Sequence, residues 1–281
     1  YIAAYRAWLG EAPVTSASAA TSRGVRRHKA SEDDLDLSRP VELVVLAITP
    51  RAARCRLLGS DRVITLRAGS LHRVVAGQIA SVQPSKYWTH GGHPYLSGQI
   101  VSTRIDTAAL GLVPLALREA HGGPPAAFEM ELPGRDPEDA IDPTLARTLG
   151  PGEHAEADEL AERLLETDLR DLAAHTYLGN RLLGLSPQWA LHHYEVGVRI
   201  AELSVRDGFD GVLPWSLVGN RPLLSCLLGY GECLWQLERW DEAERQLARL
   251  VRLDPADPRD VGSRRTAVQA RRAWIDGQSW R

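Results

Sequence analysis

The side chains best suited to chemistry are concentrated in one ten-residue stretch, 86–95. It combines three aromatic rings, a lysine and two histidines around a Gly-Gly pair. Aromatic rings next to cations suit the stacking of unpaired bases in a single-stranded nucleic acid. The same stretch could instead contact a protein partner, and both interpretations stay open. The candidate binding residues are Lys86, Tyr87, Trp88, His90, His93 and Tyr95.

Metal and catalytic chemistry find little support in the sequence. His90 and His93 could offer two imidazoles, but zinc takes three or four such ligands, and no nearby Cys, Asp or Glu completes the set. The chain also lacks the Gly-x-Ser-x-Gly, His-Glu-x-x-His and phosphate-loop patterns. We therefore expect no catalytic residue, no metal site and no cofactor, and a protein that is not an enzyme.

The elements that must position this stretch are short strands. Val41–Ile48 is rich in β-branched residues, residues 54–58 and 63–67 flank a Gly-Ser-Asp turn, and two longer runs cover 74–83 and 95–105. Five strands in about 65 residues favour a small closed barrel over an open antiparallel sheet, because closure removes exposed edges. Residues 41–119 thus resemble a small antiparallel β-barrel of the OB or SH3-like kind, with 86–95 as a loop or hairpin tip.

Charge divides the 281-residue chain into three parts. Residues 1–120 contain 15 Lys+Arg against 9 Asp+Glu, residues 121–170 contain 4 against 13, and the remainder is balanced, within a net charge of −3. We expect an N-terminal helix and flexible linker over 1–40 and an acidic, Pro/Gly-rich connector over 120–152. The excess of basic residues in 1–120 is a second reason to consider nucleic acid as a partner.

Composition indicates a globular protein of the reducing cytosol. The apolar fraction is 44% and the charged fraction 25%. No run of 18 apolar residues occurs, which predicts no membrane span, and three cysteines are too few for a disulfide scaffold. We therefore expect a cytoplasmic location. Nearly all basic residues are arginine and not lysine, as is typical of bacterial-like high-GC coding. The number of arginines alone is therefore no evidence for a function.

Residues 153–281 show helical periodicity throughout. Apolar residues recur at helical spacing from Ala157 to Leu165. Further helices are predicted over 172–183, 187–203, about 221–237, 241–253 and about 263–275, the third of them with Asn220 as its N-cap. The fold class is therefore α+β in two parts, a β-barrel followed by an all-α domain.

Two helix pairs in this region resemble tetratricopeptide repeats. The clearer copy, Leu224–Asp257, has Gly231 and Ala243 where the paired helices of that repeat touch, and Pro255 at its end. A looser copy begins at Leu178-Gly179, and 17 inserted residues, 204–220, separate the two. The resemblance covers about 2.5 repeats over 153–257. It implies a groove that binds a protein through Asn180, Arg181, Ser225, Glu232, Trp235 and Gln236.

Two functions follow as hypotheses. The first is a non-catalytic adaptor that recruits a protein through the repeat groove, with the barrel as a second contact module. The alternative is an RNA- or ribonucleoprotein-associated factor that binds nucleic acid through the basic barrel and residues 86–95. A protein partner is expected under the first, and nucleic acid under the second.

Overall fold

The computed structural model describes residues 35–49, 51–135, 140–150, 152–206, 208–256 and 259–278. The helix and most of the linker predicted over 1–40 lie outside the described residues, as do residues 136–139 of the predicted connector. The described chain divides into two compact units. One contains residues up to 74 together with 79–104, and the other contains 75–78 together with everything from 105 onward.

The first unit is a closed five-stranded barrel, as predicted. Its strand order is β1-β2-β3-β5-β4, and β4 pairs again with β1. Alternate side chains point inward, so that Leu43, Cys55, Ile64 and Leu96 are completely buried. The strands are β1 Val41–Ile48, β2 Ala53–Leu57, β3 Val63–Arg67, β4 Ile79–His90 and β5 His93–Arg104.

One detail of the barrel differs from the expectation, and one predicted alternative is decided. The predicted all-antiparallel arrangement is wrong for one pair, because β3 and β5 run parallel, with Thr65 opposite Tyr95. Of the two alternatives predicted for 86–95, a loop or a hairpin tip, the structure shows the hairpin tip. The ladder between β4 and β5 continues to the pair His90–His93, so only Gly91 and Gly92 form the turn, both with positive φ (57° and 81°).

The second unit begins with a hairpin that the sequence did not reveal. Its strands are β6 Ala116–His121 and β7 Ala127–Glu131, and the Gly/Pro-rich residues 122–125 connect them. The barrel ends at Arg104, and the hairpin groups with the helices, so the division differs from the expected boundary at 119. These strands were not predicted because most of their exposed residues are charged. Arg118 on β6 pairs with Glu129 and Glu131 across the hairpin.

Seven helices follow the barrel within the described residues. Predicted helix 172–183 coincides with α3, and the four helices predicted after it begin and end within three residues of α4 to α7. Neighbouring helices pack around a core that includes Tyr177, Leu178 and Tyr194. The helices are α1 Leu145–Thr148, α2 His154–Thr167, α3 Leu172–Leu183, α4 Pro187–Ala201, α5 Arg221–Gln236, α6 Trp240–Leu253 and α7 Val261–Gln278.

The inserted residues 204–220 join the hairpin to the helices. Val212 extends the β6–β7 sheet beside Ala127, and the amide of Leu213 donates to the carbonyl of Leu253 at 2.7 Å. Asn220 does precede α5, but its side chain makes no helix-capping bond. It accepts instead from the amide of Met130 at 2.9 Å. None of the helices in the described ranges combines the length and the apolar character needed to cross a bilayer.

Candidate functional site

The outward-facing side chains of four barrel strands form a continuous row. Arg54 on β2 lies opposite Thr65 on β3. Thr65 in turn lies opposite Tyr95 on β5, and Tyr95 lies opposite Trp88 on β4. The row faces outward because the neighbouring positions Cys55, Ile64, Leu66 and Leu96 fill the barrel interior. The closed strand order therefore brings together residues from positions 54 to 95.

Trp88 and Tyr95 form a stacked aromatic pair at the end of this row. Their ring centroids are 5.4 Å apart and their planes differ by 13°. His90 meets Tyr95 edge-on at 6.5 Å. Both stacked rings remain half-exposed on the barrel surface, whereas His90 and His93 are exposed at the hairpin tip.

Cationic side chains surround the stacked pair. The guanidinium of Arg67 lies 5.3 Å from the ring centroid of Tyr95 and 5.8 Å from that of Trp88. The ammonium of Lys86 lies 5.4 Å from the Trp88 ring. Such cation–π contacts hold charge over aromatic surface without neutralising it. We call Arg54, Thr65, Arg67, Lys86, Trp88 and Tyr95 the basic-aromatic face.

A second cation–aromatic contact involves Arg62 and Tyr87. The Arg62 guanidinium lies 5.4 Å from the ring centroid of Tyr87 and donates a hydrogen bond to its hydroxyl. Acidic residues are scarce nearby in sequence, since Glu42 and Asp61 are the only ones between 41 and 104. Glu42 already pairs with Arg104. The barrel therefore carries a strong excess of positive charge.

Sequence reasoning found the aromatic residues of this face but missed Arg54, Arg62 and Arg67. The available signal was the alternation in β2 and β3, where exposed Arg54 stands next to buried Cys55 and exposed Arg67 next to buried Leu66. No group of three or more His, Cys, Asp or Glu side chains able to hold a metal occurs among the described residues.

In the helical unit, the side chains of Asn180 and Arg181, the first two predicted groove residues, form hydrogen bonds within the fold. The side-chain carbonyl of Asn180 accepts from the hydroxyl of Tyr194 at 2.8 Å, and its amide donates to the carbonyl of Pro143 at 3.1 Å. Arg181 donates to Asp158 at 3.1 Å, and its side chain is only 12% exposed. Neither side chain is available to a partner without breaking these bonds.

The other four groove candidates differ among themselves. Ser225 lies 3.4 Å from a guanidinium nitrogen of Arg259, and Glu232 forms an ion pair with Arg264 on α7. Trp235 and Gln236, at the end of α5, are exposed, with 36% of Trp235 accessible. The structure therefore leaves only the end of α5 as an accessible part of the predicted groove.

Two buried histidines share a hydrogen bond in the centre of the helical unit. Nδ1 of His175 and Nδ1 of His193 are 3.4 Å apart, and Nε2 of His175 lies 3.1 Å from the carbonyl oxygen of Leu169. Burial lowers the pKa of His175 to about 4, and burial together with the neighbouring His175 holds the pKa of His193 well below its usual range. Since both rings are almost completely buried, we assign this pair to the core and not to a reaction site.

Comparison with known proteins adds no identification. No family model, curated protein or solved structure matches the chain.

Proposed function

We propose that the barrel is an OB-type module that binds single-stranded nucleic acid through the basic-aromatic face. The observation that carries the proposal is the row Arg54–Thr65–Tyr95–Trp88, with its stacked ring pair and overlying cations. OB-type barrels bind oligonucleotides on the face of their second and third strands and on nearby loops. The basic-aromatic face occupies that position and extends along the β4–β5 hairpin.

The strand order supports an OB-type barrel over an SH3-like one. In this barrel β5 lies between β3 and β4 and runs parallel to β3. A Greek-key barrel of five strands has this crossing connection, whereas a simple meander places consecutive strands side by side. The chain departs from the usual OB pattern in having only a short 3-10 turn, Leu71–Arg73, between β3 and β4.

The charge of the face supports a polyanion over a neutral sugar, although OB-type barrels can bind either class. Single-stranded nucleic acids offer phosphates to the cations and flat bases to the rings. Arg67 and Lys86 lie over the same rings on which bases would stack. The face thus offers cations to the phosphate and aromatic rings to the base of each nucleotide.

A salt-dependence experiment tests this proposal. Binding of a fluorescently labelled twelve-nucleotide single-stranded RNA to the full chain is measured by anisotropy between about 50 and 300 mM salt. We expect the double variant Arg67→Gln with Lys86→Gln to weaken binding, and to reduce the slope of log Kobs against log salt by about 1.4, because each lost phosphate contact on a single strand contributes about 0.7.

A matched control distinguishes the loss of the basic-aromatic face from a general loss of positive charge. Arg147→Gln with Arg163→Gln removes the same charge from two exposed positions of the helical unit, and we expect it to bind like wild type. If wild type does not bind RNA at low salt, or if both double variants lose the same affinity, the nucleic-acid proposal fails.

We further propose that the helices form a tetratricopeptide-like repeat domain that docks a protein. Two predicted close approaches support it. A Cβ atom at Gly179 would lie 2.6 Å from the Tyr194 ring, and one at Gly231 would lie 2.9 Å from Leu247. The exposed Trp235 indicates that such a partner would contact the end of α5.

Affinity capture with mass spectrometry, with and without nuclease, tests the docking proposal. A partner that survives nuclease and is lost in Trp235→Ala supports it. The same partners recovered at the same yield with Trp235→Ala contradict it. A cytoplasmic site of action is part of this proposal, since Cys55, Cys226 and Cys233 are unpaired and buried, as suits a reducing compartment.

A further inference from the structure

The helical unit contains a groove whose walls are dominated by arginine. It has a volume of about 920 Å³ and lies where the end of α4, one face of α6 and the first turns of α7 meet. Two glutamates, Glu202 and Glu244, are its only acidic lining residues within the described chain. The six arginines that line it are Arg199, Arg206, Arg245, Arg249, Arg252 and Arg265.

Helix geometry explains why three of these arginines share one wall. Arg245, Arg249 and Arg252 are four and three residues apart on α6, which places them on one side of the helix. The other side of α6 packs into the core through Leu247 and Leu250. The arginines are therefore held in a line by a well-anchored helix.

The two glutamates neutralise only part of this charge. Glu202 accepts from Arg249 at 2.6 Å and from Arg199 at 3.1 Å. Arg249 also donates to the carbonyl of Val205 at 3.2 Å, so its guanidinium is fixed from two sides. On the facing side of the groove, Glu244 accepts from Arg265 at 3.0 Å.

Three arginines of the groove stand outside the ion pairs of the described residues. Arg206, Arg245 and Arg252 are exposed, and none of them forms an ion pair with an acidic side chain of the described residues. Like charges gathered in a concave surface raise the local potential and attract anions. The groove therefore combines guanidinium groups held in ion pairs with exposed ones that form none.

We infer that this groove is a binding site for a small anion carrying several phosphate groups, such as a short polyphosphate chain. Guanidinium forks match phosphate oxygens in bidentate pairs. Among its described lining residues, only Val205 and Ala248 are apolar and none is aromatic. An apolar or aromatic group would therefore find little apolar surface to pack on, whereas a ligand made mainly of charged oxygens would be held on several sides.

Calorimetric titration of the full chain with sodium tripolyphosphate tests this inference. We expect saturable binding, and a loss of at least about ten-fold in affinity in Arg245→Gln with Arg252→Gln, because each substitution removes a charge-assisted contact. These two side chains are exposed, so the variant should fold, which circular dichroism and the melting temperature verify. Arg147→Gln with Arg163→Gln serves as the control of equal charge and should bind like wild type.

Two further measurements distinguish the inferred phosphate ligand from other anions. The barrel variant Arg67→Gln with Lys86→Gln should keep the tripolyphosphate site, so this inference can hold even where the nucleic-acid proposal fails. The inference is overturned if tripolyphosphate does not saturate wild type, or if the groove variant binds it as wild type does. It is also overturned if a hexaglutamate peptide or the single-stranded RNA binds more tightly than tripolyphosphate through the same two arginines.

Discussion

Trp88 and Tyr95 lie directly across from each other on β4 and β5, with their rings stacked at a centroid distance of 5.4 Å. A stacked pair on adjacent strands adds about 0.5–1.5 kcal/mol to a hairpin beyond the area that it buries. It also makes a broad aromatic surface flanked by Arg67 and Lys86. The same contact therefore stabilises the hairpin and, under the proposed function, offers a surface on which a base would stack.

Variants of Trp88 should separate stacking from charge. We expect Trp88→Ala to weaken binding of a single-stranded RNA about ten-fold or more, because one base–aromatic stack is worth about 1–3 kcal/mol. Trp88→Phe keeps an aromatic ring and should lose less. Both are measured by anisotropy at fixed salt, after thermal melting has shown that the variants fold.

Trp235→Ala is the control for this experiment, since it removes an exposed indole from the helical unit. It should leave RNA affinity unchanged. Wild-type affinity in Trp88→Ala would show that the stacked pair serves the hairpin alone.

Gly179 should tolerate no side chain. The ring of Tyr194 packs against it, so the added methyl group of Gly179→Ala would lie 2.6 Å from a ring carbon, and we expect a loss of about 1–3 kcal/mol in the free energy of unfolding. Gly184, after the end of α3, has open space and a helical φ of −72°. Gly184→Ala should therefore be neutral or stabilise by up to about 1 kcal/mol. Urea unfolding compares the two, and equal effects would contradict the close approach.

Local pattern was sufficient for much of the secondary structure. The strands Val41–Ile48 and Val63–Arg67 and the helix Leu172–Leu183 have the predicted bounds, since their periodicity and flanking turn residues are local features. The hairpin β6–β7 was missed because its outward residues Arg118, Glu129 and Glu131 resemble a charged linker. Cross-strand ion pairs become visible only when the register is known.

The candidate sites show the same limit. Trp88 and Tyr95 were identified because they lie in one short stretch dense in aromatic and basic side chains, but the addition of Arg54 depends on the parallel pairing of β3 with β5, which barrel closure imposes. Arg181 and Glu232 were expected to face a partner, yet each is paired with a charge from another helix, Asp158 and Arg264. Such pairs between elements leave no periodic signal in the sequence.

Asn220 should be essential for holding the hairpin against the inserted segment. It is completely buried, accepts from the amide of Met130, and donates to the carbonyls of Phe128 and Pro214 at 2.8 and 3.1 Å. Asn220→Ala would leave these backbone groups unpaired, and we expect a loss of about 2–4 kcal/mol.

Hydrogen exchange locates this effect. The amide of Met130 should exchange faster in Asn220→Ala, whereas the amide of Leu66 in the barrel should not change. Asn220→Thr, which retains one donor and one acceptor, should lose less stability than Asn220→Ala. An unchanged exchange rate at Met130 in Asn220→Ala would show that the hairpin is held by other contacts.

The buried histidine pair should make the helical unit sensitive to mild acid. An unfolded histidine takes up a proton near pH 6.5, whereas His175 in the fold does so only near pH 4. Between these values the unfolded state binds more protons, so stability falls as the pH decreases, by about 2 kcal/mol at pH 5 from His175 alone. Urea unfolding at pH 7 and pH 5 measures this loss, above the range in which most carboxylates titrate. His175→Gln with His193→Gln should flatten the dependence, and the exposed control His90→Gln should leave it intact. A dependence that persists in the double variant would assign the acid sensitivity to other groups.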